Sequence, residues 1–264
     1  MELPGASQPA GMSRMDVYAH VIRALVLRDM RTRFGGSHWG YAVLVLWPVA
    51  HIFIIVGIMA FRGLPSPLGD SPLMFVATGC VPALTFQYMS REIMKALMAN
   101  KPLIYYPQVK LFDIVVARVL VEVVKGFTCL LVVMAILTAL GEHVIPAEPV
   151  VAICAYSAAT LLGIGIGIVN VGIVSFFPGW ILGYVVPMLV LYITCGVAFV
   201  PHLLPNELYE ILKWSPIVQI VEWTRLAYDP NLGIEVDYLY VLMWGMGSVA
   251  FGLILERFVV RRFA

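Results

Sequence analysis

Few residues of this 264-residue chain have the types and spacing that catalysis or metal binding requires. No pair of its histidines has the spacing of a metal site, so we predict none. The four cysteines lie inside apolar runs without a C-x-x-C pair, which is typical of small packing residues. These residues are His20, His38, His51, His143 and His202, with Cys80, Cys129, Cys154 and Cys195.

His51 is the histidine inside a long apolar run, one helical turn after Pro48. Because Pro48 lacks a backbone N–H and frees a carbonyl, the simplest interpretation is that His51 hydrogen-bonds locally or across helices. A more specific hypothesis is that His51 takes part in gating or contacts a substrate. A further alternative is an intramembrane hydrolase that pairs His51 with Ser90, Ser157 or Ser175, although no G-x-S-G-like turn accompanies these serines.

The sequence has no phosphate-binding loop for a nucleotide. The pattern G-x-x-x-x-G-K-[ST] is absent from the chain. The glycines of LLGIGIGIVNVG lie in the middle of an apolar run, where the spacing of Gly163 and Gly167 is typical of close helix packing. If ATP drives this protein, the nucleotide must therefore bind to a partner.

The composition indicates a membrane protein, because 61% of the residues are hydrophobic and 12% are charged, against about 25% charged in an average soluble domain. About 20 apolar residues cross a hydrocarbon core of about 30 Å as a helix. Six such spans are predicted: residues 39–61, 72–89, 116–140, 150–176, 180–200 and 238–255. In the third, Arg118, Glu122 and Lys125 are expected to pair and to extend towards a membrane surface.

The distribution of positive charge predicts the orientation. Lys and Arg number five before the first span, four after the second and three at the C-terminus, whereas the opposite side has Arg62, Lys213 and Arg225. Cytoplasmic loops hold the excess of positive charge, which puts both termini in the cytoplasm. The predicted fold is thus an all-α polytopic membrane protein that forms one domain over residues 1–264.

Three segments outside the spans have predicted structure. Residues 1–15 are a mobile tail, and residues 16–34 form an amphipathic interfacial helix with an apolar face at Tyr18, Val21, Ile22 and Leu25. Residues 91–101 form a short charged cytoplasmic helix, capped by Ser90. Residues 206–228 are predicted to form two short external helices that dip into or lie on the outer interface and pack on protein, the second capped by Ser215 with Pro216 at its first position.

Three motifs in this order resemble the membrane subunits of ABC-2 exporters. They are R-D-M-R-T-R-F-G (Arg28 to Gly35), P-V-A-H (Pro48 to His51) and W-S-P-I-V-Q-I-V-E (Trp214 to Glu222). Within that group the chain most resembles the permease of Gram-negative group 2 capsular polysaccharide exporters. The chain departs from this group at Ser215 to Ile217, where the resemblance implies Asn-Pro-Leu. Because Ser and Asn are both good helix caps, the change keeps the capping role.

The resemblance implies a homodimer in a bacterial inner membrane that works with two ATP-binding cassette subunits. ATP and Mg would bind to those partner subunits, no cofactor would bind to this chain, and nucleic acid is not a partner. The substrate would be a lipid-linked polysaccharide, passed to a periplasmic and outer-membrane export adaptor. The alternatives within the superfamily are another glycan, such as O antigen or teichoic acid, or a lipophilic compound.

The resemblance also implies roles for particular residues. Arg28, Arg31 and Arg33 would frame the entrance for substrate at the interfacial helix. The coupling helix would contact the ATPase through Arg91, Glu92, Lys95, Asn100 and Lys101. An external gate would be formed by Trp214, Ser215, Pro216, Glu222 and Trp223.

Aromatic side chains are the candidates for the channel wall, because sugar rings present C–H groups that pack on aromatic faces. Many weak contacts of this kind would let a polymer slide. The deeper rings are favoured, while rings at span ends fit a lipid-facing belt equally well. The predicted channel residues are Trp47, His51, Tyr184 and Tyr192, with Tyr41 and Phe86.

Overall fold

The computed structural model describes residues 13–33, 38–63, 66, 71–100, 102–103, 106 and 109–260, and within these ranges it contains helices and no strand. The helices are α1 (Arg14–Arg33), α2 (His38–Phe61), α3 (Pro72–Met94), α4 (Ala96–Ala99), α5 (Leu111–Ala139), α6 (Pro149–Phe176), α7 (Trp180–Gly183), α8 (Val185–Thr194), α9 (Asn206–Leu212), α10 (Pro216–Tyr228) and α11 (Tyr238–Leu255), the last continued by a π-helical turn, Glu256–Val260. The predicted tail falls mainly on residues 1–12, outside the described residues.

Four helices are long and apolar enough to cross a membrane: α3, α5, α6, and α11 with its extension to Phe258. Two shorter apolar stretches, Leu46–Phe61 and Trp180–Thr194, lie within the predicted first and fifth spans. The all-helical membrane architecture is therefore confirmed at the level of these four helices.

The core forms around α3 and α6, which pack along each other and also contact α10. Small residues permit this approach, since a Cβ added at Gly163 would lie 3.1 Å from Met89 Cβ, and one added at Gly167 would lie 2.8 Å from Ile93 Cβ. The pairing of Gly163 and Gly167 on one face agrees with the packing expected for small residues four apart.

The predicted fifth span, residues 180–200, is not one continuous helix. It is divided at Tyr184 into α7 and α8, and α8 ends at Thr194. Pro187 has no N–H to donate to the carbonyl of Gly183, which weakens the helix at that turn. Gly196, with φ of +89°, takes the left-handed conformation that favours glycine and turns the chain after α8.

The predicted boundary between the second span and the cytoplasmic helix is also displaced. α3 continues through Ser90 to Met94, and only the short α4 follows it. The Ser90 hydroxyl donates to the Gln87 carbonyl, 3.1 Å away within the helix. Ser90 therefore does not cap a new helix, and Ile93 and Met94 continue the buried face of α3.

The external segment forms two helices within its predicted bounds, and α10 packs on protein. Most of its side chains are buried, and it packs against α6, α3 and α11. Ser215 is the residue before α10 and Pro216 its first residue, yet the Ser215 hydroxyl makes no capping hydrogen bond. Burial of α10 in the protein satisfies the requirement that a short helix at membrane depth be covered by protein.

Candidate functional site

A line of polar contacts, which we call the α8 seam, joins α7 and α8 to α2, α3 and α6. Its first member is the Tyr192 hydroxyl, which lies 2.6 Å from His51 Nε2 and 3.3 Å from Cys80 Sγ. The His51 and Tyr192 rings meet edge to face with centroids 5.2 Å apart. The structure therefore brings together two predicted channel residues from helices 141 positions apart in sequence.

The seam continues along α3. Gln87 Nε2 donates to the Met188 carbonyl at 2.8 Å, and the Tyr184 hydroxyl donates to Ser90 Oγ at 3.0 Å. At the start of α7, Trp180 Nε1 donates to Asn170 Oδ1 of α6 at 2.8 Å. These contacts give buried polar groups their partners, and each contributes about 1 kcal/mol or less to stability.

A small cavity of about 180 Å³ lies beside the seam, between α3 and α8. It is lined by Gln87, Tyr88, Arg91, Val185, Met188 and Leu189. Side chains of α3 with polar groups thus face apolar side chains of α8 across this cavity.

The other predicted channel residues occupy different surroundings. Phe86 and Tyr184 are buried in the core of the single chain. Trp47 is 54% exposed on an apolar face of α2, and the side chain of Tyr41 lies outside the described residues. Their role in a channel stays a prediction.

The geometry does not favour the hydrolase alternative. The hydroxyl beside His51 is that of Tyr192, while Ser90 and Ser175 donate to backbone carbonyls of their own helices, at Gln87 and Val171. A serine nucleophile needs its hydroxyl within about 2.6–3.2 Å of a base. His51 instead joins α2 to α8, as the simplest interpretation of the sequence expects.

At the end of the bundle predicted to be cytoplasmic, α1 is tied to α5 by a buried ion pair. Asp29 Oδ1 lies 2.9 Å from an Arg118 guanidinium nitrogen, and the two residues are 3% and 2% exposed. Leu25 of α1 packs in the same apolar cluster as Ile93, Ala96 and Ile114. The predicted interfacial helix is thus fixed to the ends of α3 and α5.

The arginines predicted to frame the entrance lie on α1. Arg31 is exposed and Arg28 half-buried, while the side chain of Arg33 lies outside the described residues. Asp29, the acidic residue between them, points into the protein instead.

The predicted coupling residues surround the end of α3. Lys95 Nζ lies 2.8 Å from Glu92 Oε1, and the Arg91 guanidinium lies 3.7 Å from the same oxygen. Asn100 is buried and donates to the Ala96 carbonyl, which ends α4. Lys101 lies outside the described residues.

The charged face of α5 is buried rather than directed to a surface, which corrects the expectation for Arg118, Glu122 and Lys125. Lys125 and Glu122 form the expected ion pair within α5, but Arg118 pairs with Asp29 of α1. A charge at the bilayer centre is costly, and these side chains pair inside the protein in place of reaching water.

At the opposite end, Glu222 lies in a buried polar cluster, which we define as Glu222, His202, Tyr209 and Arg225. The Tyr209 hydroxyl donates to Glu222 Oε2 at 3.4 Å, and His202 Nδ1 lies 3.6 Å from Glu222 Oε1. Burial raises the pKa of Glu222 to about 7, although Arg225 and Tyr209 oppose this rise. Burial also lowers the pKa of His202, so the imidazole favours its neutral form.

Arg225 holds the turn that follows α8. Its guanidinium donates to the Gly196 carbonyl at 2.6 Å and to the Phe199 carbonyl at 3.2 Å, and it lies 4.3 Å from the Phe75 ring centroid. Burial lowers the pKa of Arg225 to about 10, which leaves it charged at neutral pH. The predicted external gate thus includes a residue that fixes the end of α8.

The two tryptophans of the predicted external gate lie in different surroundings. Trp223 is buried and packs on Tyr238, with ring centroids 4.6 Å apart. Trp214 is exposed and lies edge to face with Tyr240, at 6.2 Å.

Sequence reasoning did not single out Asp29, His202, Tyr209 or Arg225 for these sites. A signal was present for Arg225, because it follows Glu222 by three residues on an otherwise apolar helix, where such pairs meet. Asp29 also had a signal, as the one acid within R-D-M-R-T-R. His202 and Tyr209 had none, since their contacts depend on the tertiary fold.

Four long apolar helices, with polar contacts between helices and ion pairs towards the ends, define a polytopic membrane protein. No protein-family model matches the chain. It is 30% identical over 253 residues to the polysialic acid transport protein KpsM of Escherichia coli. The aligned part covers 93% of this chain and 95% of that protein.

Two further relatives are capsule polysaccharide export proteins of other bacteria. The capsule polysaccharide export inner-membrane protein CtrC of Neisseria meningitidis is 26% identical, over 90% of each chain. The capsule polysaccharide export inner-membrane protein BexB of Haemophilus influenzae is 26% identical, over 91% of each chain. The chain belongs to this family of capsule polysaccharide export inner-membrane proteins, which confirms the resemblance and the inner-membrane location.

Proposed function

We propose that the chain is the membrane subunit of an ATP-driven exporter that moves a lipid-linked capsular polysaccharide across the inner membrane. It acts as a homodimer with two ATP-binding subunits that bind ATP and Mg, and it passes the polymer to a periplasmic adaptor. The family relationship supports the substrate class, and the cytoplasmic end of the structure supports the coupling to a partner.

The observation that carries the coupling is the continuity of α3. Arg91 and Glu92 are the last exposed or half-buried charges of the same helix that lines the α8 seam through Gln87 and Ser90. A push on the cytoplasmic end of α3 therefore reaches α8 without passing through a flexible joint.

The second helix that a partner would contact, α1, is fixed by the Asp29–Arg118 ion pair to α5. Leu25, Ile93 and Ile114 join α1, α3 and α5 in one apolar cluster. Closure of the ATP-binding subunits would thus displace these helix ends together, which is the mechanical step we propose for export.

The dimer would form through α2 and α8. Both helices expose apolar side chains, among them Trp47, Ile54, Val186 and Leu189, and the contact of His51 with Tyr192 places them side by side. A channel between two copies would then be bordered by the α8 seam of each subunit.

The first test is purification of the chain from its native membranes in mild detergent, with subunit stoichiometry and ATPase activity measured on the product. We expect an equimolar second chain that hydrolyses ATP. A lone chain without ATPase activity in several detergents would overturn the proposal.

The second test reverses the Glu92–Lys95 pair. The double variant E92K/K95E keeps an ion pair three residues apart but inverts the charge pattern shown to the partner, so we expect ATP hydrolysis to continue while capsule export falls at least about tenfold. The matched control is E207K, which reverses one exposed charge of α9 and should export like the wild type. Full export in E92K/K95E would contradict the coupling role.

A further inference from the structure

A groove runs between α6 and α11 on the outside of the bundle. Its volume is about 530 Å³, and its walls are almost entirely apolar. The lining residues are Ile166, Val169, Tyr240, Met243, Trp244, Gly247, Ser248 and Phe251. Nothing in the export mechanism uses this groove.

Glycines create the groove. A Cβ added at Gly245 would lie 2.9 Å from Leu161, and one added at Gly252 would lie 2.8 Å from Ile168, so α6 and α11 touch along these positions. Gly247 lies on the neighbouring face of α11, and a Cβ there would meet nothing within 4 Å. The close contact and the open groove are therefore adjacent on one helix.

The length of the groove matches one leaflet of a bilayer. From Tyr240 to Phe251, α11 rises by about 16 Å at 1.5 Å per residue. Half of a hydrocarbon core is about 15 Å thick. An acyl chain that enters at Tyr240 would thus end near the middle of the membrane.

A second cavity of about 460 Å³ begins where the groove ends, and Tyr240 lines both. The Tyr240 hydroxyl donates to the Trp214 carbonyl at 2.5 Å, which fixes the ring between the two spaces. Charged and polar residues make up most of the lining of this second cavity. Tyr238, the first residue of α11, marks the level at which the apolar helix begins. A polar cavity at a helix end and an apolar groove below it fit an amphipathic ligand.

The charges of the polar cavity select the headgroup. Three carboxylates, those of Glu210, Glu235 and Asp237, line it together with one ammonium, that of Lys213. The Trp214 ring, 68% exposed, also faces this cavity. Carboxylates and an exposed indole attract an ammonium group, and the lysine can meet a phosphate. The excess of carboxylates disfavours an anionic headgroup.

We propose that this groove and cavity bind one membrane phospholipid with an amine-bearing headgroup, of the phosphatidylethanolamine type. One acyl chain lies along Trp244, Gly247 and Phe251, and the headgroup lies among Lys213, Trp214 and Glu235. The site is independent of the proposed export function and of the identity of the exported polymer.

Native mass spectrometry of the purified, delipidated chain tests this site by titration with dioleoyl phosphatidylethanolamine or dioleoyl phosphatidylglycerol. We expect one phosphatidylethanolamine per chain, bound about tenfold more tightly than phosphatidylglycerol. Gly247→Trp fills the groove and should abolish this binding. The matched control is Leu131→Trp, at an exposed apolar position of α5 outside the groove, which should bind like the wild type.

A second variant tests the headgroup without changing the groove. Glu235→Lys lies on an exposed loop position and should reverse the preference, so that phosphatidylglycerol binds more tightly. Unchanged binding by Gly247→Trp would overturn the site, as would equal affinity for the two lipids in the wild type. An unchanged preference in Glu235→Lys would overturn the assignment of the headgroup. If a second copy of the chain occupies the groove instead, the wild type would associate without bound lipid, and Gly247→Trp would abolish this association. That result would also overturn the lipid site.

Discussion

The buried pair of Asp29 and Arg118 allows a stability prediction with a definite size. In Asp29→Ala, the Arg118 guanidinium, 2% exposed, loses the carboxylate oxygen at 2.9 Å. Removal of one partner of a buried ion pair costs about 3–5 kcal/mol, because the remaining charge stays away from water. For a chain of this size 1 kcal/mol corresponds to about 2–4 °C, so we expect the melting temperature to fall by roughly 10 °C.

Replacement of both partners separates the loss of a pair from the loss of packing. Asp29→Leu combined with Arg118→Met removes both charges of the pair, and such replacements are often neutral or stabilising in other proteins. We therefore expect the double variant to recover most of the lost melting temperature.

Thermal unfolding in detergent, followed by tryptophan fluorescence, measures both effects. The control is Glu210→Ala, which removes an ion-pair partner that is 61% exposed. Exposed pairs contribute about 0–1 kcal/mol, so this variant should melt within about 3 °C of the wild type. The reasoning fails if Asp29→Ala behaves like the control, or if the double variant melts no higher than the single one.

Three further variants test the polar cluster around Glu222 and the packing of the helices. Burial raises the pKa of Glu222 from 4.5 to about 7. Between these pH values the Glu222 carboxyl keeps its proton in the folded chain but has released it in the unfolded chain. Wild type should therefore lose stability relative to Glu222→Gln as pH rises from about 5 to about 7, and parallel melting curves at several pH values would contradict this. Gly165→Ala, whose Cβ would lie 2.9 Å from the Gly245 carbonyl oxygen, should destabilise by about 1–3 kcal/mol. Gly247→Ala should be neutral or stabilise by about 0.5–1 kcal/mol, and equal melting shifts in the two would refute the packing argument.

The long helices could be predicted because hydropathy reports the solvent directly. α6 and α11 begin and end within one residue of the predicted segments 150–176 and 238–255, since charge and proline mark where lipid gives way to water. α10 has the same mixture of apolar and charged residues as an interfacial helix. Its burial depends on α6 and α3, to which it is distant in sequence, so composition alone could not predict it.

Buried charges were harder to predict for the same reason. Glu122 and Lys125 are three residues apart on one helix, and their ion pair follows from that spacing. Arg118 has an equally good position for pairing with Glu122, yet its carboxylate comes from Asp29, 89 positions earlier. Spacing predicts local pairs, and the choice between a local and a distant partner depends on packing.

The strength of these attachments differs along the bundle. The end of the bundle near α1 is held by a buried ion pair, and at the opposite end Arg225 binds two carbonyls of the turn after α8. Between the two ends, α8 is held by neutral hydrogen bonds, such as those from Tyr184 to Ser90 and from Gln87 to Met188. Loss of one of these neutral hydrogen bonds costs about 1 kcal/mol, whereas loss of one partner of a buried ion pair costs about 3–5 kcal/mol.

Under the proposed export mechanism, this difference indicates which helix would move at the smallest cost in free energy. α8 is 10 residues long, begins after a break and ends at Gly196, so both of its ends can change direction. α3 is continuous and is held on several sides by α5, α6 and α10. A displacement of α3 from its Met94 end would therefore break the contacts of the seam before those at either end of the bundle. In the proposed mechanism, α8 would then move relative to the other helices while the bundle stays assembled.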